Sequence, residues 1–248
     1  MISYFVTTGI SLGLSRCWKR PDGQVPAVAK WDSCKSFREI LELPDRALAI
    51  ESIQSLTDAV LASLGSDPDQ YKGRALASVR QWFRFECWSD PLRMYLLPAE
   101  LATLRALEGE LNRGATLKIL HGEGDIDGSN AREATLLWAV LQLLKDEGHL
   151  LASCELSEPF SWAPTSLAAF SGGMDKLWAY VRASLPDVRF VLSGGYKVVL
   201  LEIMRRIVEE EISTEIYYLQ EGNLDLIRIG TTHGKIVSVE QRLGGSFE

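Results

Sequence analysis

Residues 191–210 read VLSGGYKVVLLEIMRRIVEE. A short apolar run meets Ser193-Gly194-Gly195-Tyr196-Lys197, and an apolar pattern at helical spacing then runs to about Glu211. Glycines permit a tight strand-to-helix turn, so this stretch predicts a buried strand delivering a helix through a loop at the strand's carboxyl end. Such a unit belongs to a parallel sheet with helical crossovers.

The opening MISYFVTTGI repeats the theme. Ile2 to Thr8 is β-branched and apolar, and Gly9 ends it, which predicts a central strand followed by a small-residue loop, Thr7-Thr8-Gly9-Ile10-Ser11. Residues 16 to 32, with Pro21, Gly23 and Pro26 among charges, are expected to form an exposed loop. Cys34 to Leu64 and Pro98 to Asn112 carry apolar residues at helical spacing, the latter opened by proline at its first turn, so a long helical crossover spans about 34–112. Further strands are predicted at Ala115 to Leu120, His149 to Leu156, Val188 to Leu192 and Thr214 to Leu219. The intervening helices fall at Ala131 to Asp146, from Ser171-Gly172-Gly173 with Met174, Leu177, Trp178 and Val181 on its apolar face, and after Lys197. Leu224 to Ile229 and Lys235 to Val239, joined across Thr231-Thr232-His233-Gly234, predict a closing hairpin. The fold expected is α/β: one Rossmann-like domain over 1–248, mainly parallel, with helices on both faces and a C-terminal β-hairpin.

Composition restricts function. The chain has 248 residues, 46% apolar, and a net charge of −7 from 26 basic and 33 acidic side chains. That balance argues against direct binding of duplex nucleic acid, and an anionic ligand needs a local site. Cys17, Cys34, Cys87 and Cys154 show neither C-x-x-C spacing nor a nearby histidine, so no zinc site or disulfide framework is expected. The first ten residues are too short to span a bilayer and lack a basic leader; no membrane association and a cytoplasmic location are the expectation.

The two loops are the candidate site. At Ser193 to Lys197, amides at a helix N-terminus and the Lys197 ammonium suit a phosphate; the alternative is a plain turn with Lys197 solvated. At Thr8 to Ser11 the hydroxyls suit a ligand or serve as an N-cap. No G-x-G-x-x-G follows the first strand and no Walker A motif occurs. Gly122-Glu123-Gly124-Asp125 reads as a turn rather than a metal site, and no metal or cofactor is expected. Trp82-Phe83-Arg84-Phe85-Glu86-Cys87-Trp88 is expected to pack rather than stack on a base, while Arg80, Arg84 and Arg105 are candidate cations for the cleft. Arg228 and His233 have an Arg-x4-His spacing known from ribonucleases, but a hairpin gives it no helical context. Glu209-Glu210-Glu211 reads as a solvated helix end.

These motifs resemble a family. The first strand with Thr8-Gly9-Ile10-Ser11, the SGGYK loop before a helix, PAELATLRAL followed by ATLKIL, and the closing YYLQEGNLDLIRI are similar to the CARF domains of type III CRISPR systems, specifically the CARF-only ring nuclease branch. The resemblance covers nearly all the chain apart from residues 16 to 32 and the last few. It implies a homodimer binding cyclic oligoadenylate, with the tetra-adenylate ring as the expected ligand, and metal-independent attack of a ribose 2′-OH on the neighbouring phosphate to give linear di-adenylate with a 2′,3′-cyclic phosphate. It implies Ser11 and Lys197 as catalytic, with Thr8, Gly9, Ile10, Ser193, Gly194, Gly195, Tyr196, His121 and Gly122 as ligand contacts. His121-Gly122-Glu123 departs from the family's Thr or Asp at that loop. A non-catalytic sensor acting through a partner protein, and an unrelated mononucleotide-binding protein, remain open alternatives.

Overall fold

A computed structural model describes residues 1–8, 16–19, 39–40, 42–122, 129–160, 167–193, 197–220 and 225–242. Its strands are β1 (Ser3–Thr7), β2 (Thr116–Leu120), β3 (Ser153–Leu156), β4 (Val188–Val191), β5 (Thr214–Gln220), β6 (Asp225–Thr232) and β7 (Lys235–Arg242). Its helices are α1 (Arg46–Ala62), α2 (Tyr71–Trp82), α3 (Glu86–Ser89), α4 (Ala99–Ala106), α5 (Glu108–Leu111), α6 (Ser129–Asp146), α7 (Leu167–Arg182) and α8 (Lys197–Glu209).

All seven strands join one sheet in the order β3-β2-β1-β4-β5-β6-β7. The first five pair in parallel and the last two extend the sheet antiparallel. Alternation along the strands divides the core. Tyr4, Val6, Leu117, Ile119, Val191 and Tyr217 face one way into a cluster shared with α1, α2, α4 and α6. Phe5, Phe190 and Ile216 face the other way, with Met174, Leu177 and Trp178 of α7 and Val199, Ile203 and Ile207 of α8. Helices therefore cover both faces, as the sequence predicts. Phe190 stacks at 5.8 Å on Phe5 and at 6.3 Å on Trp178, so aromatic side chains tie β1 and β4 to α7.

The crossover is more broken than its sequence pattern suggests. Residues 34–38 lie outside the described residues; Glu39 and Ile40 are helical, and a turn follows before α1 opens at Arg46. Pro44 supplies the reason, because the residue before a proline is pushed out of helical geometry. Between α1 and α4 the chain forms α2, α3 and two short 3₁₀ turns at Pro68–Gln70 and Pro91–Leu96, each begun by an aspartate whose side chain caps it. The start of the supposed exposed loop is a correction: Arg16, Cys17 and Trp18 are buried. Trp18 bridges Phe83, and Arg84 N–H donates to Cys17 O at 2.7 Å, pinning this segment under α2.

Two boundaries also move. The third strand starts at Ser153 instead of His149. Ser171-Gly172-Gly173 does not open α7, which begins at Leu167 and runs through the glycines, because four apolar positions downstream hold the helix on the sheet despite the glycine penalty. The hairpin forms as expected and is longer. His233 (φ 48°) and Gly234 (φ 69°) give its two-residue turn, the left-handed pair that matches strand twist. A Cβ at Gly234 would lie 2.5 Å from Val208 O, so this turn sits tightly against the end of α8.

Candidate functional site

The chain builds β1, β2 and β3 outward on one side, then crosses back to lay β4 against β1 and continue to β5. Strand order reverses between β1 and β4, and in open α/β sheets the crevice beyond the carboxyl ends at such a point is where ligands bind. Val6 is paired with Val191, so Thr7 and Thr8 leave β1 beside Leu192 and Ser193 leaving β4. These are the entry points of the two loops singled out in the sequence. Gly9, Ile10, Ser11, Gly194, Gly195 and Tyr196 lie outside the described residues, as does the side chain of Lys197. The backbone of Lys197 opens α8, a 13-residue helix with no acidic residue in its first turn to oppose an anion.

The hydroxyls nearest the crevice are engaged in the fold. Thr8, fully buried, donates its hydroxyl to Leu120 O at 2.9 Å and so fastens the end of β1 to β2. Ser193 Oγ accepts from Leu219 N at 3.1 Å and lies 2.5 Å from Thr103 Oγ1. Thr103 donates to Ala99 O at 2.7 Å, so the serine proton goes to Thr103. Ser193 is thus a clamp joining β4, β5 and α4. Thr103, absent from the sequence candidates, bends back on its own helix in the i to i−4 manner, a pattern visible in PAELATLRAL, although its partner ninety residues away is not.

α4 and α5 together run down the sheet from this rim to the opposite one, since Thr103 meets Ser193 while Glu110 meets Arg189 near the start of β4. Glu100, one turn before Thr103, is wholly buried, as nearly is Glu133 in the first turns of α6. Glu100 lies in the first turn of α4, where the helix dipole favours a carboxylate, and no local pattern marks the burial of either residue.

His121 follows β2 and is only 6% exposed. Its Nε2 lies 3.0 Å from Ser157 O, the donor arrangement that leaves Nδ1 unprotonated; burial holds the ring below its ordinary pKa and hence neutral. Phe160 N–H donates to His121 O, and Gly122 N–H donates to Asn130 Oδ1 at 2.7 Å. His121 and Gly122 therefore tie β2 to the segment beyond β3, with β1 standing between them and Ser193.

The three candidate cations point elsewhere. Arg80 pairs with Asp146 at 3.1 Å, Arg84 with Glu86 at 3.1 Å, and Arg105 with Glu108 while its Nε donates to Trp88 O. Of the aromatic stretch, Phe83 and Trp88 are core residues and Trp82 and Phe85 pack against that core. Arg228 lies within β6, paired to Glu215, and His233 occupies the hairpin turn, so that spacing forms no joint site. Glu209 and Glu210 are not merely solvated: they pair with Arg205 and Arg182. Among the described residues no cluster of three His, Cys, Asp or Glu could hold a metal, and no helix is long and apolar enough to cross a membrane.

Neither protein-family models nor curated proteins match this chain. The functional reading therefore stands on the residues, on the strand-end geometry and on the motif resemblance.

Proposed function

We propose that this chain is a ring nuclease that binds cyclic oligoadenylate, with cyclic tetra-adenylate as its substrate, and cleaves it without metal to switch off type III CRISPR signalling. The observation that carries the reading is the register of β1 with β4, since it brings the openings of the two candidate loops side by side at the reversal of strand order. The helix N-terminus at Lys197 adds partial positive charge at the same rim of a protein whose net charge is −7.

In a homodimer, two such rims on a two-fold axis present the same groups to both halves of a symmetric ring. The 2′-OH of one ribose attacks the adjacent phosphorus, forming the O2′–P bond as the P–O5′ bond breaks. The 2′ proton leaves and the departing 5′ oxygen gains one, so two cuts yield two linear di-adenylates, each with a 2′,3′-cyclic phosphate. Lys197 and the amides of residues 194–197 stabilise charge on the phosphoryl oxygens, and Ser11 holds the ribose in line. Thr8 and Ser193 support those loops from beneath through their bonds to Leu120, Leu219 and Thr103.

A non-catalytic sensor is the second reading. It is favoured by the engagement of the described rim hydroxyls of Thr7, Thr8 and Ser193 within the sheet, which leaves binding groups and no proton acceptor among them. Labelled cyclic tetra-adenylate incubated with the protein in EDTA separates the readings. Linear di-adenylate with a cyclic phosphate supports the nuclease, and tight binding without turnover supports the sensor. Absence of binding refutes both and leaves an unrelated nucleotide-binding protein.

A further inference from the structure

The opposite, amino-terminal rim of the sheet holds a cleft of about 560 Å³ that the function above does not use. Three arginines from separate elements line it: Arg113 after α5, Arg189 on β4 and Arg228 on β6. Two carboxylates, Glu110 and Glu215, lie among them. Gly109 and Gly114 form part of the wall, and a Cβ on either would meet nothing within 4 Å, so the space is open at the scale of a small ligand.

The carboxylates are already spent on the fold. Glu215 Oε2 takes Arg189 Nε at 2.8 Å and Tyr217 Oη at 2.9 Å, while its Oε1 lies 3.2 Å from Arg228 Nε. Glu110 Oε2 takes Arg189 Nη1 at 2.7 Å and lies 3.1 Å from Tyr217 Oη and 3.3 Å from Tyr4 Oη. Burial raises both phenols, Tyr4 to about 12, so they remain protonated donors. The arginines are not equally satisfied. Arg228 Nε is buried without a hydrogen bond of acceptable angle, and its Nη2 is 3.6 Å from Glu240. The Arg113 guanidinium is exposed and makes no hydrogen bond or ion pair among the described residues. The three guanidiniums are matched in number by Glu110, Glu215 and Glu240, all three of which are taken by Arg189 and Arg228, so the Arg113 charge is the one without a partner among the described residues, and the planar fork of arginine matches a carboxylate or phosphate edge.

We propose that this cleft binds a small oxyanion, a carboxylate or phosphate group on a body that fits the space, with Arg113 and Arg228 as its forks and Arg189 fixed behind them. The site lies at the far rim from Lys197 and does not rest on the nuclease reading.

Isothermal titration at low ionic strength, in chloride buffer, with inorganic phosphate in one arm and succinate in the other, tests this. Saturable binding of either is expected, and the arm that saturates at lower concentration identifies the phosphate or the carboxylate source. Arg113→Ala, an exposed change, weakens it about tenfold or more, and Arg113→Lys recovers part of the loss. Lys197→Ala leaves it unchanged. No saturable binding in either arm, or binding indifferent to Arg113→Ala, overturns the proposal. So does binding lost in Lys197→Ala alone, which would move the anion to the other rim.

Discussion

Replacing Thr103 by valine tests whether α4 and the end of β4 are held by one shared proton. Both hydroxyls are buried, and Ser193 donates to Thr103 while accepting from Leu219 N–H. Valine keeps the shape and removes the acceptor, so the serine proton is left without a partner at a cost of about 1–3 kcal/mol. The added methyl returns on the order of 0.8 kcal/mol by burial, which leaves a net loss of about 0.2–2 kcal/mol. With a urea m-value of about 3 kcal/mol/M, the unfolding midpoint read by tryptophan fluorescence falls by about 0.1–0.7 M. Ser193→Ala serves as the second corner of a double-mutant cycle, and it also strips Leu219 N–H of its acceptor. A coupling of at least about 0.5 kcal/mol between the two changes is expected. Additivity of the pair within about 0.3 kcal/mol refutes the shared bond and with it the clamp.

Lys197→Ala should lower single-turnover cleavage of cyclic tetra-adenylate by about 10²–10³-fold, the usual effect of removing one preorganised donor to a developing oxyanion, and an unchanged rate removes Lys197 from the mechanism. His121 is held neutral by burial, so the unfolded chain binds the extra proton at mildly acidic pH. Stability from this site is complete above the ordinary histidine pKa of about 6.5 and declines as pH falls from there toward the lowered folded value; thermal melts at pH 7.5 and 5.5 should differ less in His121→Gln than in the parent. Gly234→Ala forces a side chain into φ 69° and against Val208 O, and should cost about 2 kcal/mol, some 4–8 °C in melting temperature. An unaltered melt would mean that the turn does not seat on α8. Burial pushes the Cys154 thiol up to about 12, so iodoacetamide at pH 8 followed by peptide mapping should leave it unmodified until the protein is unfolded.

The elements that carry strong local signals were legible from the residues alone. Alternating strand and helix periods, the glycine turn before Lys197 and the Thr-His-Gly hairpin all speak through near neighbours, and the sheet with its antiparallel end follows from them. Local signals misled where burial outweighed propensity. The glycines at 172 and 173 look like a helix boundary but lie inside α7, and Arg16 to Trp18 look exposed but are held by α2. The site was legible only as two loops: strand order, which no local pattern encodes, makes β1 and β4 neighbours. Thr103, Glu110 and Arg189 were invisible for the same reason, since each matters through partners far along the chain. His121 was a fair candidate by residue type, yet its ring bonds across to Ser157, on the side of β2 away from β1.

The seat of Gly234 beneath Val208, with its N–H directed at Ile212 O, gives α8 a second anchorage. The helix is a rod of about 20 Å with its first residue at the strand-order reversal and its last turn wedged on the hairpin. Any tilt that a guest molecule imposes on the near end must therefore either swing β6 and β7 or tear the turn from its socket. The antiparallel extension is in that sense a counterweight, and its edge is the place where occupancy of the distant crevice would be felt mechanically.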